Sequence, residues 1–296
     1  MTITWQAATM PITQRWTSVA FGAGVFVAVG QSSGGGISAV AAVSNDGLTW
    51  SSVTLPAAHL WSAVAFGAGV FVAVASDPTS AAAISSDGTT WTPVTLPASF
   101  AWQAIAFGNG VFIAVGNGSD VAISTNGSTW TSSTIIAGIN YSSIGYGNGV
   151  FVAPGNDNTN ISWSTDNGAT WTNGGVGDYF TDIAYGGGVW VIVTINSNNY
   201  EAYSTNGTSW SFHLIGASFN AITYAQSMFL ALEQGTTAGW GYSPDGLNWT
   251  LLATLPSSET WTSIAFGNGV FVAVSQSNVA AVGAVLAPAT PILMLL

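Results

Sequence analysis

Twelve carboxylates, two histidines and one arginine are the side chains of this sequence that could do acid–base or ionic chemistry. Four of the acids recur in one setting: SNDGLTW (44–50), SSDGTTW (85–91), STDNGATW (164–171) and SPDGLNW (243–249). STNGSTW (124–130) and STNGTSW (204–210) keep the outline with an amide in place of the acid. A catalytic carboxylate is not needed six times and would not survive exchange for Asn. A turn lock would, because a short Asp or Asn side chain accepts hydrogen bonds from its own turn, and Ser does so more weakly. Asp46, Asp87, Asn126, Asp166, Asn206 and Asp245 are therefore assigned to structure. His59 falls in a connection and His213 in the strand-like run SFHLIG, and neither has a carboxylate motif that would make a triad or a metal site. A carboxylate pair of the glycosidase kind is left open. The expectation is a protein that is not an enzyme and has no cofactor.

Composition narrows the partners. Charged residues make up 4% of the chain, against about 25% in typical domains, and the net charge is −11 with no Lys. Nucleic acid and anionic membranes are excluded as partners, since both are gripped by Lys and Arg. Cysteine is absent, so disulfides and thiolate metal sites are too. The start lacks a basic n-region and an apolar h-region, so no standard secretion signal is expected. Pro288 and Pro291 interrupt the apolar end, so no membrane insertion is expected.

These residues must be positioned by a repeat. WTSVAFGAGVFVAVG (16–30) returns from 61, 102, 141, 180, 219 and 261, at steps of 45, 41, 39, 39, 39 and 42. Between these seven copies lie the six Asp/Asn turns, and Ile3-Thr4-Trp5 looks like the tail of the missing one. Each repeat reads as four strands: SVAFG, the β-branched VFVAVG, an apolar run such as AAVS, and TWSSVT. Asp-Gly and Asn-Gly between apolar runs signal a hairpin. A period of about 40 residues with four strands is a propeller blade. The fold class is thus all-β: a seven-bladed β-propeller with four antiparallel strands per blade over 1–286, closed by the N-terminal strand joining the C-terminal blade. The tail 287–296, ending in Ile292 to Leu296, is left for assembly.

The turn motif resembles the Asp box of sialidase-type (BNR-repeat) β-propellers, and the whole repeat resembles Gly/Trp-rich propellers of bacteriophage tail and virion proteins. The first resemblance implies that the box lies in the turn between third and fourth strands, away from any active site. It also implies that sialidase activity fails here, since that family holds its substrate's carboxylate with three arginines and this chain has Arg15 alone.

One face of such a ring is uniform, made of near-constant A–B turns and boxes. The other carries the irregular loops 31–39, 76–81, 117–120, 156–160, 195–200 and 233–239. Asp77, Asp120, Asp157, Asp178, Asp182, Glu201, Glu233 and Glu259 fall in or beside those loops, as does Arg15. Rigid scaffolds carry function on such loops. Asp157, Asn158, Asn160, Asp182, Asn198 and Tyr200 are the candidate ligand-binding residues, with Trp240 as an exposed stacking platform. Clustered oxygens there could hold Ca2+. Asp182 begins an innermost strand where other blades have Ser or Ala, and should point to the channel mouth. The expected function is a phage virion structural or receptor-binding propeller. Its partners would be a host-surface glycan or other virion proteins, and it would join a larger assembly through its tail. The rivals are a secreted lectin or adhesin, extracellular rather than on the virion, and a carbohydrate-active enzyme. A photosystem-assembly-factor-like propeller is disfavoured for want of a basic patch.

Overall fold

Runs such as Val25–Ser32 and Val70–Ala75 are β-branched and aromatic on both sides, and they form the second strand of every blade. In blade 1, Phe26, Val27, Ala28 and Val29 are all wholly buried. The structure, a computed structural model, describes residues 2–156, 160–174, 178–195, 199–233, 235–237 and 239–286. Blade 1 runs Gln14–Gly22, Val25–Ser32, Ser38–Ser44 and Ser51–His59, from the innermost strand outward. Blades 2 to 6 repeat this antiparallel order over 61–100, 102–134, 145–174, 180–214 and 219–252. Blade 7 takes its three inner strands, Glu259–Gly267, Val270–Ser275 and Val279–Leu286, from one end of the chain. Its outer strand, Thr2–Thr9, comes from the other end, in register from Thr2 against Leu286 to Thr9 against Val279. The ring is therefore laced shut by backbone hydrogen bonds, and no blade edge is left at the joint. Among the described residues there is no helix. The tail 287–296 and its expected role lie outside the described residues.

Blades meet through apolar faces. Gly67 ends the first strand of blade 2, and a Cβ there would run into the ring of Phe107 in blade 3. Gly22 stands likewise against Phe66, and Gly267 against Phe21 across the closure. Only glycine lets the aromatic ring of the next blade lie flat on the backbone.

The boxes lock the turns between third and fourth strands. Ser44 Oγ accepts from Gly47 N at 2.8 Å, and Asp46 Oδ1 accepts from the backbone N–H of Leu48 and Thr49, both at 2.8 Å. Trp50 Nε1 closes the motif on Gly47 O at 2.7 Å. Asp87, Asn126, Asn206 and Asp245 accept the same pair of turn N–H groups, and the longer box of Asp166 makes the equivalent bond from Thr170 N at 2.9 Å. The backbone bond from Thr49 holds the Asp46 carboxyl below its ordinary range, and those from Thr90 and Asn248 do so for Asp87 and Asp245. For Asp166 the hydroxyl of Thr170 contributes most. The A–B and C–D turns share a face: Asn268 Nδ2 of blade 7 donates to Asn45 O in the box of blade 1 at 2.8 Å.

Candidate functional site at the channel mouth

Where each first strand begins, on the face opposite the boxes, the ladder slips by one residue. The register shifts between Trp16 and Ser18, Trp61 and Ala63, Phe180 and Asp182, and Trp261 and Ser263. A bulge re-aims side chains, and here it places consecutive residues such as Ser62 and Ala63, or Thr181 and Asp182, on the channel wall. In every blade but the third, where it is Gln103, the first residue of the pair tethers the next blade. Ser62 Oγ donates to Trp102 O at 2.7 Å, Ser142 Oγ to Phe180 O at 2.8 Å, and Thr181 Oγ1 to Phe219 O at 3.0 Å. Asn220 Nδ2 donates to Trp261 O at 2.7 Å, and Thr262 Oγ1 to Trp16 O at 2.6 Å. In blades 1 and 7 the second residue is a Ser that accepts from the following blade: Ser18 Oγ takes Val64 N at 3.2 Å, and Ser263 Oγ takes Val19 N at 3.1 Å.

Asp182 holds that second position in blade 5 and does more with it. Its Oδ2 accepts from Ile222 N at 2.9 Å, and its Oδ1 from Ser143 Oγ at 2.8 Å and Ile183 N at 2.9 Å. The carboxylate thus ties blades 4, 5 and 6 together. It lines a channel cavity of about 200 Å3 walled by residues of all seven blades, and no other residue of that wall is charged. Burial pushes its carboxyl up to about 6, against the pull of the three hydrogen bonds. A cleft of about 220 Å3 adjoins it through Gln103 and Ser142, lined by Asn117, Asn140, Asn156 and Tyr141.

The same face carries a pair that the sequence reading treated as unrelated. His59 Nδ1 meets Asp77 Oδ2 at 2.8 Å, and Asp77 Oδ1 accepts from Leu60 N at 2.9 Å. His59 is not in a connection but ends the outer strand of blade 1, paired with Ser38, and Asp77 lies in the B–C loop of blade 2. The repeat could have shown that these two segments abut, since the second strand's end always returns to the start of the first.

The other sequence candidates scatter. Asp157, Asn158 and Asn198 lie outside the described residues. Asn160 is half-buried and its carbonyl accepts from Gly155 N at 3.0 Å. Tyr200 is exposed on the rim of blade 5, its ring centroid 6.4 Å from that of Phe212. Neither lines the channel cavity or its adjoining cleft. Trp240 is not a platform: it is 1% exposed, packs edge-on against Trp5 at 5.6 Å, and donates from Nε1 to Thr254 Oγ1 at 3.0 Å. It stands three residues before the box Ser, where other blades bury Ala41, Ala82, Val121 and Ile161. Side chains there point into the next blade, and a large one fills the joint instead of facing water. Glu201 occupies the same place in blade 5, so it is wholly buried instead of lying at the loop surface. Among the described residues no three His, Cys, Asp or Glu side chains gather to hold a metal ion.

No protein-family model matches the chain, and no curated protein does. Solved structures share its fold. Virginiamycin B lyase from Staphylococcus aureus superposes with a TM-score of 0.82 at 14% identity, over 96% of this chain and 100% of that one. YCF48 bound to D1 peptide gives 0.76 at 16% identity over 97% of each chain. YCF48 from Cyanidioschyzon merolae gives 0.71 at 13% identity, over 95% of this chain and 98% of that one. These likenesses show the seven-bladed propeller. They overturn the phage receptor-binding reading and its rivals, because these structural neighbours, virginiamycin B lyase and YCF48, are not phage receptor-binding proteins. The reason is physical: Gly-rich turns and Trp-capped boxes encode blade geometry, which is common to propellers of unrelated function.

Proposed function

We propose that this propeller is a binding module that takes an extended polypeptide segment across the channel mouth. The observation that carries the reading is the asparagine-rich cleft running from Asn117, Asn140 and Asn156 into the channel cavity through Gln103 and Ser142. A side-chain amide offers both donor and acceptor, as a peptide backbone does, so the two pair without any charge. That suits a chain with almost no charged surface. YCF48, which shares the fold, has been solved with a peptide bound. The boxes, turn locks of the Asp-box kind, lie on the opposite face and take no part. A library of unstructured peptides, screened against the wild type and an Asn117→Ala/Asn156→Ala variant, tests this. Retention of peptides by the wild type and its loss in the variant, at unchanged melting temperature, is expected. Equal retention by both proteins, or none by the wild type, would sink the reading.

A second reading rests on the pair of His59 and Asp77. A carboxylate on Nδ1 fixes the imidazole tautomer and leaves Nε2 to move a proton. A catalytically inactive histidine-to-alanine variant of virginiamycin B lyase has been solved with quinupristin. Turnover of a substrate that depends on His59 and not on Asn117 or Asn156 would favour this reading over binding alone.

A further inference from the structure

Several side chains of the channel wall have spent a donor on the next blade and keep an acceptor. A hydroxyl has one proton and two lone pairs. Ser62, Ser142, Thr181 and Thr262 all line the cavity, and each has committed its proton to a carbonyl of the next blade. What they turn to the channel is oxygen. Asn220 gives one of its two amide N–H groups to Trp261 O, which fixes the amide's orientation and leaves its carbonyl oxygen as an acceptor beside the second N–H. Asp182 adds a carboxylate with about four acceptor sites, three of which are filled.

No basic side chain answers this wall. Arg15, the chain's one Arg or Lys, is exposed on blade 1 and is not among the lining residues. The two histidines are not among them either. Elsewhere the same register position is filled by Ser18, Ala63, Ala104, Ser143, Ala221 and Ser263, so closing the ring does not require a carboxylate. The protein as a whole carries −11, a field that draws cations toward its openings.

We propose that the channel mouth is a receptor for a primary ammonium group, held by Asp182 and the ring of hydroxyl oxygens around it. An ammonium is donors only, three of them on a compact head, which is the complement of the Asp182 carboxylate and these hydroxyl oxygens. A Lys side chain or an amino terminus of a bound segment would supply it, and free alkylamines share the chemistry. This rests on the polypeptide-binding reading for its source but not for its chemistry.

The probe is n-butylammonium, titrated against the protein by NMR, with n-butanol and CaCl2 as comparison ligands. Shifts at channel residues that saturate with n-butylammonium are expected. Affinity should weaken at least about tenfold in Asp182→Ser, the loss expected for a charge-assisted hydrogen bond. Ser is native to this position in three other blades, so the variant should fold, and its melting curve checks that. Equal binding of n-butanol, equal affinity in Asp182→Ser, or tighter binding of Ca2+ at the same residues would each overturn the proposal. In the peptide library, retention that ignores Lys and amino-terminal acetylation would overturn it while leaving the polypeptide reading intact. Capture of n-butylammonium with no peptide retained would do the reverse.

Discussion

Thr262 donates from Oγ1 to the carbonyl of Trp16 at 2.6 Å, joining the last blade to the first across 246 positions of sequence. The same joint is backed by Ser263 Oγ on Val19 N and, farther out, by the eight-pair ladder of Thr2–Thr9 on Val279–Leu286. Deleting residues 1–10 removes that outer strand and the buried Ile3, Ala8 and Met10. Large apolar side chains contribute about 1.5–3 kcal/mol each when fully buried, so the loss is several kcal/mol. At roughly 2–4 °C per kcal/mol for a chain of a few hundred residues, the melting temperature should fall on the order of 10 °C. Calorimetry on the deleted protein checks this, and an unchanged midpoint would mean that the outer strand is dispensable.

Asp166→Ala should cost about 1 kcal/mol, the net worth of a turn hydrogen bond, and leave n-butylammonium affinity unchanged because the box lies on the opposite face. The carboxyl is held below its ordinary range by Thr170. A lowered folded value contributes stability that is present above the ordinary carboxylate range and is lost as pH falls. The gap in melting temperature between wild type and variant should therefore narrow below about pH 4. Asp166→Asn, the residue standing at Asn126 and Asn206, should keep most of the stability. Melting curves at two pH values check both statements.

Blade number, strand order and the mixed last blade were legible in the sequence, because the repeat fixes them: seven first motifs, six boxes and Ile3-Thr4-Trp5 leave one consistent closure. The mouth was legible in part. Asp182 stood out because the aligned blades have Ser or Ala, but its bonds to Ser143 and Ile222 depend on a bulge that no spacing announces. The first- and second-strand hairpin brings the segments of His59 and Asp77 together, but nothing in the repeat marks these two side chains as partners. Trp240 and Glu201 were misplaced for one reason: both follow polar, irregular loops, yet both already sit in the third strand with its inward parity.

Trp240→Ala should therefore behave as a core truncation. It removes a side chain packed with Trp5, Leu255 and Trp261 between blades 6 and 7, at a cost of about 3–5 kcal/mol. It should have no direct effect on ligand capture in protein that remains folded. Chemical denaturation alongside peptide retention separates the two, and a variant of native stability that fails to bind would restore the platform.

Glu201 gives the sharpest test, because its burial carries a sign. Both carboxyl oxygens are buried with no hydrogen-bond partner among the described residues. Trp249 is close enough to ease the charge, though its indole N–H points to Gly246 O at 3.3 Å. Burial pushes the carboxyl up to about 9 from an ordinary 4.5, and the charge of Asp245 adds to it. Between those values the folded protein holds a proton that the unfolded chain releases. Stability must then fall as pH rises through that window, by at most about 1.4 kcal/mol per pH unit for one proton. Glu201→Val installs the residue that blade 3 buries at Val121. It should melt higher than wild type, with a margin that widens from pH 5 to pH 8 as the buried acid is pressed to ionise. Glu201→Gln should lose the widening but keep the cost of an unpaired polar group. A margin that stays constant with pH would show that Glu201 finds a partner or reaches water.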